Sequence, residues 1–170
     1  MKKFVLIIIL LSAVTLINAQ NQPAQKPCSS PEASQFDFWI GNWELTWNDT
    51  SKGSNTITKI MDGCALHENF FDPVLNYKGE SWSVYSPSRK MWQQTWVDNS
   101  GAYIALTGKF ENGEMILSTE PRKLQDGKEL ISRMVFSNIT SKAFDWRWEA
   151  STDNGTTWKA NWVIHYRRKM

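Results

Sequence analysis

Residues 36–47 read Phe36-Asp37-Phe38-Trp39-Ile40-Gly41-Asn42-Trp43-Glu44-Leu45-Thr46-Trp47. From Trp39 onward every second residue is a tryptophan, a glycine or a leucine, while Glu44 and Thr46 occupy alternate positions. This period of two is typical of a strand with one buried face. Gly41 allows a close backbone crossing, and the Trp43 indole two residues later could close the end of a barrel. The stretch therefore predicts a strand whose aromatic face lies in the core of an all-β protein.

The N-terminus predicts an exported protein. Met1-Lys2-Lys3 forms a basic n-region, residues 4–11 are apolar, and Ala19 is the small residue that signal peptidase requires. The apolar run is short for a membrane span, which is the alternative interpretation. We expect cleavage after Ala19, so that residues 1–19 are a signal peptide and the mature protein is periplasmic or extracellular.

The charge balance argues against two classes of partner. The chain has 19 basic and 17 acidic residues, and two of the basic ones, Lys2 and Lys3, leave with the predicted signal peptide. The mature protein is therefore formally neutral, and its largest basic cluster is the terminal Arg167-Arg168-Lys169. This pattern indicates neither nucleic-acid binding nor association with a membrane after cleavage. The sequence does not specify an oligomeric state.

The chain has two cysteines, Cys28 in a polar lead segment and Cys64 at the start of a predicted strand. In an oxidising compartment such a pair forms a disulfide more often than a metal or redox site. A Cys28–Cys64 disulfide would attach the N-terminal arm to the sheet and stabilise the fold by about 3 kcal/mol.

The rest of the chain divides into ten segments of strand length, separated by turn signals such as Asn112-Gly113 and Asp126-Gly127. The predicted strands are residues 38–48, 54–61, 64–72, 79–86, 90–98, 102–111, 114–121, 128–137, 143–151 and 156–168. Short strands that are joined by tight turns pair antiparallel with their neighbours.

We therefore predict a ten-stranded antiparallel up-and-down β-barrel over residues 36–170, because closing the sheet removes its exposed edges. A two-sheet sandwich is the alternative. Residues 20–35 are predicted to be a linker that ends in one short helical turn, with Ser30 as N-cap and Pro31 at its first position.

Alternation also assigns faces in the last two strands. In residues 144–150 the aromatic side chains lie on one side and the charged side chains on the other. In the last strand one face is shared by Trp158, Ala160, Trp162, Ile164 and Tyr166. A one-residue bulge would reverse such an assignment.

The residues offer little support for a metal or a nucleophile. His67 and His165 lack metal-site spacings. Alternation places His165 with the polar residues of its strand and His67 opposite Leu66, Glu68 and Phe70. No Gly-x-Ser-x-Gly motif or glycine-rich phosphate loop is present. We therefore assign no catalytic residue, metal or cofactor, although Glu68, Arg133 and Glu149 could form a buried acid or ion pair of an enzyme.

Residues 151–158 match the Asp-box pattern Ser-x-Asp-x-Gly-x-Thr-Trp. The motif resembles those of sialidase-type propellers, where it recurs in each blade, but it occurs once here. We interpret it as a structural hairpin in which Asp153 caps the turn, Gly155 takes a positive φ and Trp158 packs back on the strands.

Ten tryptophans are the most unusual feature of the composition. They could fill a solid barrel, or they could line a cavity for a small apolar or aromatic ligand. The candidate ligand-binding residues are Trp43, Glu68, Gln94, Trp96, Arg133, Trp146, Trp148, Trp162 and Tyr166. A binding protein is our main hypothesis; an enzyme and a solid structural barrel are the alternatives.

These motifs resemble those of an uncharacterised bacterial family of secreted or periplasmic proteins, and the resemblance covers nearly all of the mature chain. Beyond residues 36–43 it rests on Asp62-Gly63-Cys64 with Glu68, Gly79-x-Ser81 with Tyr85, Trp92-x-Gln94-x-Trp96-Val97-Asp98 followed by Gly101, Leu106-Thr107-Gly108, Met115 and Arg133. The resemblance implies a calycin-like, or lipocalin-like, barrel and export. Because the family has no agreed activity, it implies no substrate.

The chain is more distantly similar to the nitrobindins, ten-stranded calycin-type barrels that hold haem through a histidine near the C-terminus. That similarity implies His165 as an axial haem ligand. Alternation turns His165 away from Trp162, Ile164 and Tyr166 in a regular strand, so we expect no stoichiometric haem.

Overall fold

The computed structural model describes residues 27–48 and 50–169. The predicted signal peptide, its cleavage site and residues 20–26 of the predicted linker lie outside these ranges. Within the described ranges, no helix has both the length and the apolar character that crossing a membrane would require.

Strands and short turns make up almost all of the described chain. The strands are β1 (Gly41–Trp47), β2 (Ser51–Ile60), β3 (Ala65–Asp72), β4 (Tyr77–Ser86), β5 (Met91–Asp98), β6 (Tyr103–Glu111), β7 (Glu114–Ser118), β8 (Arg122–Lys123), β9 (Glu129–Ser137), β10 (Ala143–Ser151) and β11 (Lys159–Arg168). Short 3₁₀ helices occur at Pro31–Ser34, Asp37–Trp39 and Met61–Gly63. All ten predicted segments contain strands, and the two-residue β8 is an addition that pairs with the start of β9.

The main strands form one closed antiparallel sheet. β1 to β7 pair in sequence, β7 pairs with β9, and β9, β10 and β11 follow. β11 then pairs with β1, which places Leu45 opposite Tyr166 and closes the ring. The predicted ten-stranded up-and-down barrel is thereby confirmed, and the sandwich alternative is excluded.

Alternation in β1 follows the prediction. Trp43, Leu45 and Trp47 are buried inside the barrel, whereas Glu44 and Thr46 are exposed on its outer face. The hydrophobic period therefore identified the inner face of this strand correctly.

The inner face of β11 begins later than predicted. Trp162 and Ala160 pair with consecutive residues of β10, so Asn161 between them is the extra residue of a bulge. Ala160 is exposed, and Trp158 packs outside the barrel, 3.8 Å from the Arg133 guanidinium. The prediction that Trp158 and Ala160 share the inner face is therefore wrong, because the bulge shifts the alternation by one residue.

Residues 31–40, which we call the plug, fill one end of the barrel. The Ser30 hydroxyl accepts a hydrogen bond from the Ala33 amide at 3.4 Å and caps the first 3₁₀ helix, which confirms the predicted helical turn. Phe36 and Trp39 stack with ring centroids 4.9 Å apart, and both are almost completely buried. The plug therefore supplies core side chains where the sheet alone leaves the barrel open.

Trp39 belongs to the plug and not to the strand predicted from residue 38. Gly41, the first residue of β1, has a φ of +132°, which favours glycine. A Cβ at this position would overlap the Arg168 guanidinium. The Trp43 indole nitrogen donates to the Trp39 carbonyl oxygen at 2.7 Å. The chain therefore turns sharply here and folds its aromatic segment into the barrel end.

Arg168 at the end of β11 holds the plug in place. Its guanidinium donates to the carbonyl oxygens of Ile40 at 2.7 Å, Phe38 at 3.2 Å and Ser141 at 2.8 Å. It also lies 4.2 Å from the centre of the Trp43 ring. One charged side chain therefore satisfies three backbone acceptors where the first and last strands meet.

A Cys28–Cys64 disulfide provides a second attachment of the lead segment. Cys64 immediately precedes β3, and the two Cα atoms are 5.1 Å apart. The predicted disulfide is confirmed, and it fixes the start of the plug to the connection between β2 and β3.

We expect Arg168→Ala to lower the free energy of unfolding by about 2 kcal/mol, because hydrogen bonds from a charged donor are lost. Denaturant unfolding with the disulfide intact measures this change. Arg167→Ala removes the exposed neighbour and should change stability by less than about 0.5 kcal/mol. Equal effects of the two substitutions would show that Arg168 does not hold the plug.

Candidate functional site: a tryptophan-lined cavity

The barrel contains a cavity of about 210 Å³ beyond the plug. Its lining residues are Trp39, Glu68, Phe70, Tyr77, Trp96, Ile104, Leu106, Met134, Trp146, Trp148, Trp162, Ile164 and Tyr166. Glu68 is the one charged side chain in this set. The cavity is therefore predominantly aromatic and carries a single acid.

The cavity has a closed floor and a partly open mouth. Trp39 of the plug, Leu106 and Ile164 are each about 1% exposed. At the opposite end, Trp96 near the end of β5 and Trp162 near the start of β11 are only half-buried. Solvent therefore reaches the cavity from the end of the barrel that the plug does not fill.

The aromatic walls meet at steep angles. The Trp162 ring is nearly perpendicular to Trp146, at 5.5 Å and 86°, and to Phe70, at 5.9 Å and 82°. Trp146 and Trp148 lie almost parallel, with centroids 6.4 Å apart. The walls thus present both ring faces and ring edges.

Two rings at the mouth are held by Asp98. The Tyr77 hydroxyl and the Trp96 indole nitrogen donate to the same Asp98 oxygen at 2.7 Å and 3.1 Å. Burial opposes ionisation of Asp98, but hydrogen bonds from Ser100, Tyr77 and neighbouring donors outweigh it and hold its pKa well below the usual range. Gly79 leaves room for the Trp96 ring, since a Cβ there would overlap it.

Glu68 lies in a buried polar cluster on β3. Asn55 donates to one carboxylate oxygen at 2.6 Å, and the Ser81 hydroxyl donates to the other at 2.5 Å. The Asn55 amide also donates to the Tyr166 hydroxyl at 3.1 Å. All four side chains are less than a tenth exposed, so this cluster connects β2, β3, β4 and β11 inside the barrel.

Burial controls the protonation of this cluster. Desolvation raises the pKa of Glu68 to about 7, although the hydrogen bonds from Ser81 and Asn55 favour the ionised form. Desolvation, together with the nearby Glu68 charge, also raises the pKa of Tyr166 well above its ordinary value. Glu68 is therefore poised to change its charge near neutral pH, and Tyr166 stays protonated there.

Six of the nine candidate ligand-binding residues line the cavity. They are Glu68, Trp96, Trp146, Trp148, Trp162 and Tyr166. Trp43 packs instead against Phe144 near the plugged end, with centroids 4.9 Å apart. Gln94 is buried, and its amide donates to the Ser83 hydroxyl at 2.8 Å.

Arg133 lies on the outer face of the barrel. β9 turns Met134 inward, so Arg133 points outward and its guanidinium lies 2.7 Å from Glu149. Arg147 binds the other Glu149 oxygen at 2.8 Å. Burial opposes ionisation of Glu149, but hydrogen bonds from Arg147 and Arg133 lower its pKa. The ion pair that the sequence suggested is thus present outside the cavity, away from Glu68.

Sequence reasoning missed several lining residues and the partners of Glu68. Phe70 shares the inner face of β3 with Glu68, and Ile164 shares that of β11 with Trp162, so alternation alone could have identified both. Asn55 and Ser81 are polar residues on inner faces, and no sequence signal distinguishes them from solvated side chains.

The Asp-box segment has the predicted structural geometry. Asp153 accepts hydrogen bonds from the Thr157 amide at 2.9 Å and hydroxyl at 2.6 Å. Gly155 has a φ of +79°, and the Trp158 indole nitrogen donates to its carbonyl oxygen at 3.0 Å. The motif therefore builds the β10–β11 connection on the outer side of the barrel.

Neither histidine lines the cavity. His67 stacks on Trp82 at 5.1 Å and lies 2.9 Å from Glu80 on the outer face. The His165 side chain is 64% exposed and lies 2.6 Å from Asp145. In residues 27–48 and 50–169, no three His, Cys, Asp or Glu side chains form a group that could hold a metal ion.

No family model matches the chain, and no curated protein matches it either. The resemblance to the uncharacterised secreted family and to the nitrobindins therefore stays a prediction.

Stability should fall between about pH 4 and pH 8 through Glu68, because its pKa is higher in the folded state than in the unfolded state. The stabilising contribution is complete below the unfolded pKa and is lost as pH rises to about 7. Relative to Glu68→Gln, the free energy of unfolding of the unsubstituted protein should decrease by about 3 kcal/mol over this range. Glu44→Gln, on the outer face, is the matched control, and a pH-independent difference for Glu68→Gln would contradict the assignment.

We expect haem titration to give no sharp Soret band that depends on His165. The His165 ring lies on the outer face, and the cavity is smaller than the roughly 300 Å³ at which pockets for drug-sized ligands begin. Absorbance titration of the purified protein and of His165→Ala measures this. A stoichiometric Soret band that is lost in His165→Ala would prove the prediction wrong.

Proposed function

We propose that the mature protein is an exported binding protein that holds one small apolar or aromatic molecule inside the barrel. The observation that carries this proposal is the cavity itself, which lies between Trp39 at its floor and half-buried Trp96 and Trp162 at its mouth. A solid structural barrel would have this space filled by side chains. Concave, mainly aromatic sites with few polar groups are typical of small-molecule binding.

The volume limits the size of the ligand. An engineered apolar cavity of about 150 Å³ is large enough to bind benzene, and this cavity holds about 210 Å³. One aromatic ring with a short substituent therefore fits. Burying about 200 Å² of ring and chain contributes about 5 kcal/mol, which before the cost of association corresponds to a Kd of about 0.2 mM.

Export is supported by two independent features. The predicted signal peptide occupies the N-terminus, and the Cys28–Cys64 disulfide is typical of a protein that folds in an oxidising compartment. We therefore propose that the binding activity lies in the periplasm or outside the cell.

An enzyme is the rival function. Of the three residues considered for catalysis, Arg133 and Glu149 form an ion pair on the outer face, and only Glu68 lines the cavity. General acid–base catalysis calls for a group that is positioned against the reacting atoms, commonly together with a second polar group. A single acid among apolar rings supports binding better than turnover.

We expect 2-phenylethanol to bind with 1:1 stoichiometry and a Kd of about 0.1 to 1 mM. Isothermal titration calorimetry measures this, and chemical-shift changes of the indole N–H groups locate the site. Ile104→Trp should abolish binding, because the larger side chain fills the cavity that Ile104 lines.

Ala105→Trp is the matched control, because Ala105 is exposed on the outer face of the same strand, β6. It should bind as the unsubstituted protein does. Thermal unfolding of both variants checks that they are folded. Binding that survives in folded Ile104→Trp, or no binding by the unsubstituted protein, would contradict the proposed function.

A further inference from the structure

Glu68 is a buried acid that forms no ion pair among the described residues; the charge of His67, on the outer face of the same strand, is the smallest of the influences that favour its ionised form. Its side chain is 6% exposed, and it takes part in none of the ion pairs among the described residues. The other cavity-lining residues include no lysine, arginine or histidine. Removing a carboxylate from water is costly unless hydrogen bonds and an opposite charge compensate. Asn55 and Ser81 supply hydrogen bonds but no charge.

The surroundings of Glu68 also favour a positive charge. The face of a tryptophan ring attracts a cation within about 6 Å of its centre, and Trp146 and Trp162 meet at 86° with centroids 5.5 Å apart. At the mouth, the carboxylate of Asp98 is held against Trp96 and Tyr77. The cavity that holds Glu68 is therefore lined by tryptophan rings, and a second carboxylate, Asp98, is hydrogen-bonded to two of its lining side chains.

We propose that the ligand of this cavity is a small aromatic amine in its protonated form, with its ammonium group on Glu68 and its ring among the tryptophans. This inference rests on the proposed function and specifies its ligand class. An ionised carboxylate has about four acceptor positions, of which Asn55 and Ser81 occupy two. The ammonium group donates to those that remain, in a charge-assisted hydrogen bond. The lined volume accommodates a ring and a two-carbon chain.

Several titratable groups surround Glu68 and bear on its pH dependence. Tyr166 on β11 and Tyr77 on β4 line the same cavity, and Asp98 on β5 lies at the mouth beside Tyr77. Behind Glu68, His67 and Glu80 pair on the outer faces of β3 and β4. The raised pKa of both tyrosines keeps them protonated near neutral pH. The Glu68→Gln variant retains His67, Glu80 and Asp98. Any pH dependence of binding that is lost in this variant is therefore due to Glu68.

Three probes of similar size and different charge test the inference. They are 2-phenylethylamine, 2-phenylethanol and phenylacetate, each titrated calorimetrically into the folded mature protein with its disulfide intact. At about pH 8 the amine stays protonated, as lysine does. It should then bind about 10- to 100-fold more tightly than the alcohol, and phenylacetate should bind more weakly than the alcohol.

The pH profile provides a readout that needs no variant. The amine should bind more tightly as pH rises, by about tenfold per unit from about pH 5 to 7, because it binds ionised Glu68. Above about pH 7 its affinity should level off, in line with the pKa of Glu68. The affinity of the neutral alcohol should not rise in this way.

Glu68→Gln should remove both the preference for the amine and its rise with pH, so that amine and alcohol bind this variant with similar affinity. Glu44→Gln, which removes an exposed carboxylate from the outer face of β1, should retain the preference. Equal affinity for amine and alcohol, tighter binding of phenylacetate, or an amine preference that survives in Glu68→Gln would each overturn this inference and leave the proposed function intact. Binding of none of the probes would overturn both.

Discussion

The burial of Phe36 and Trp39 in one end of the barrel is the interaction on which the rest of the structure depends. Ten strands enclose more space than their own side chains readily fill. The Phe36 ring meets Trp92 of β5 and Phe136 of β9 edge-on, at 5.3 Å and 5.0 Å, so the plug joins strands on different sides of the ring. The Cys28–Cys64 disulfide and the hydrogen bonds of Arg168 fix the two ends of this segment.

A plug at one end makes the barrel asymmetric. The plugged end is a dense set of aromatic contacts, and Phe144 there stacks on Tyr166 at 4.3 Å. The other end keeps a cavity with half-buried tryptophans at its mouth. A protein can retain unfilled space and a desolvated acid such as Glu68 only if other contacts offset their cost. The plug, the disulfide and the closed sheet provide those contacts.

The sequence predicted the barrel well because nearly every strand is short, antiparallel and marked by turn residues. Alternation identified the inner face of β1 and correctly placed Trp162, Ile164 and Tyr166 together on one face of the last strand. It failed at two backbone irregularities, the sharp turn at Gly41 and the bulge at Asn161, because a period of two holds only within a regular strand. Of the pairings that the sequence left open among Glu68, Arg133 and Glu149, only Arg133 with Glu149 occurs among the described residues, and it lies on the outer face. Asn55, Ser81 and Glu68 lie on three different strands. Their hydrogen bonds therefore correspond to no pattern within any one stretch of the sequence.

A buried acid in the wall, Glu68, distinguishes this cavity from a simple packing defect. A packing defect in a tryptophan-rich core has apolar walls, because an apolar residue of similar size is usually at least as stable there as a buried ionisable one. Here β2 and β4 both supply polar side chains, Asn55 and Ser81, that hold the carboxylate at the cavity wall. Three strands are therefore adapted to keep an acid in a low-dielectric space, where its interaction with a cation is stronger than in water. Since these hydrogen bonds supply no opposite charge, the arrangement supports the proposed recognition of a cation better than a role in structural stability alone.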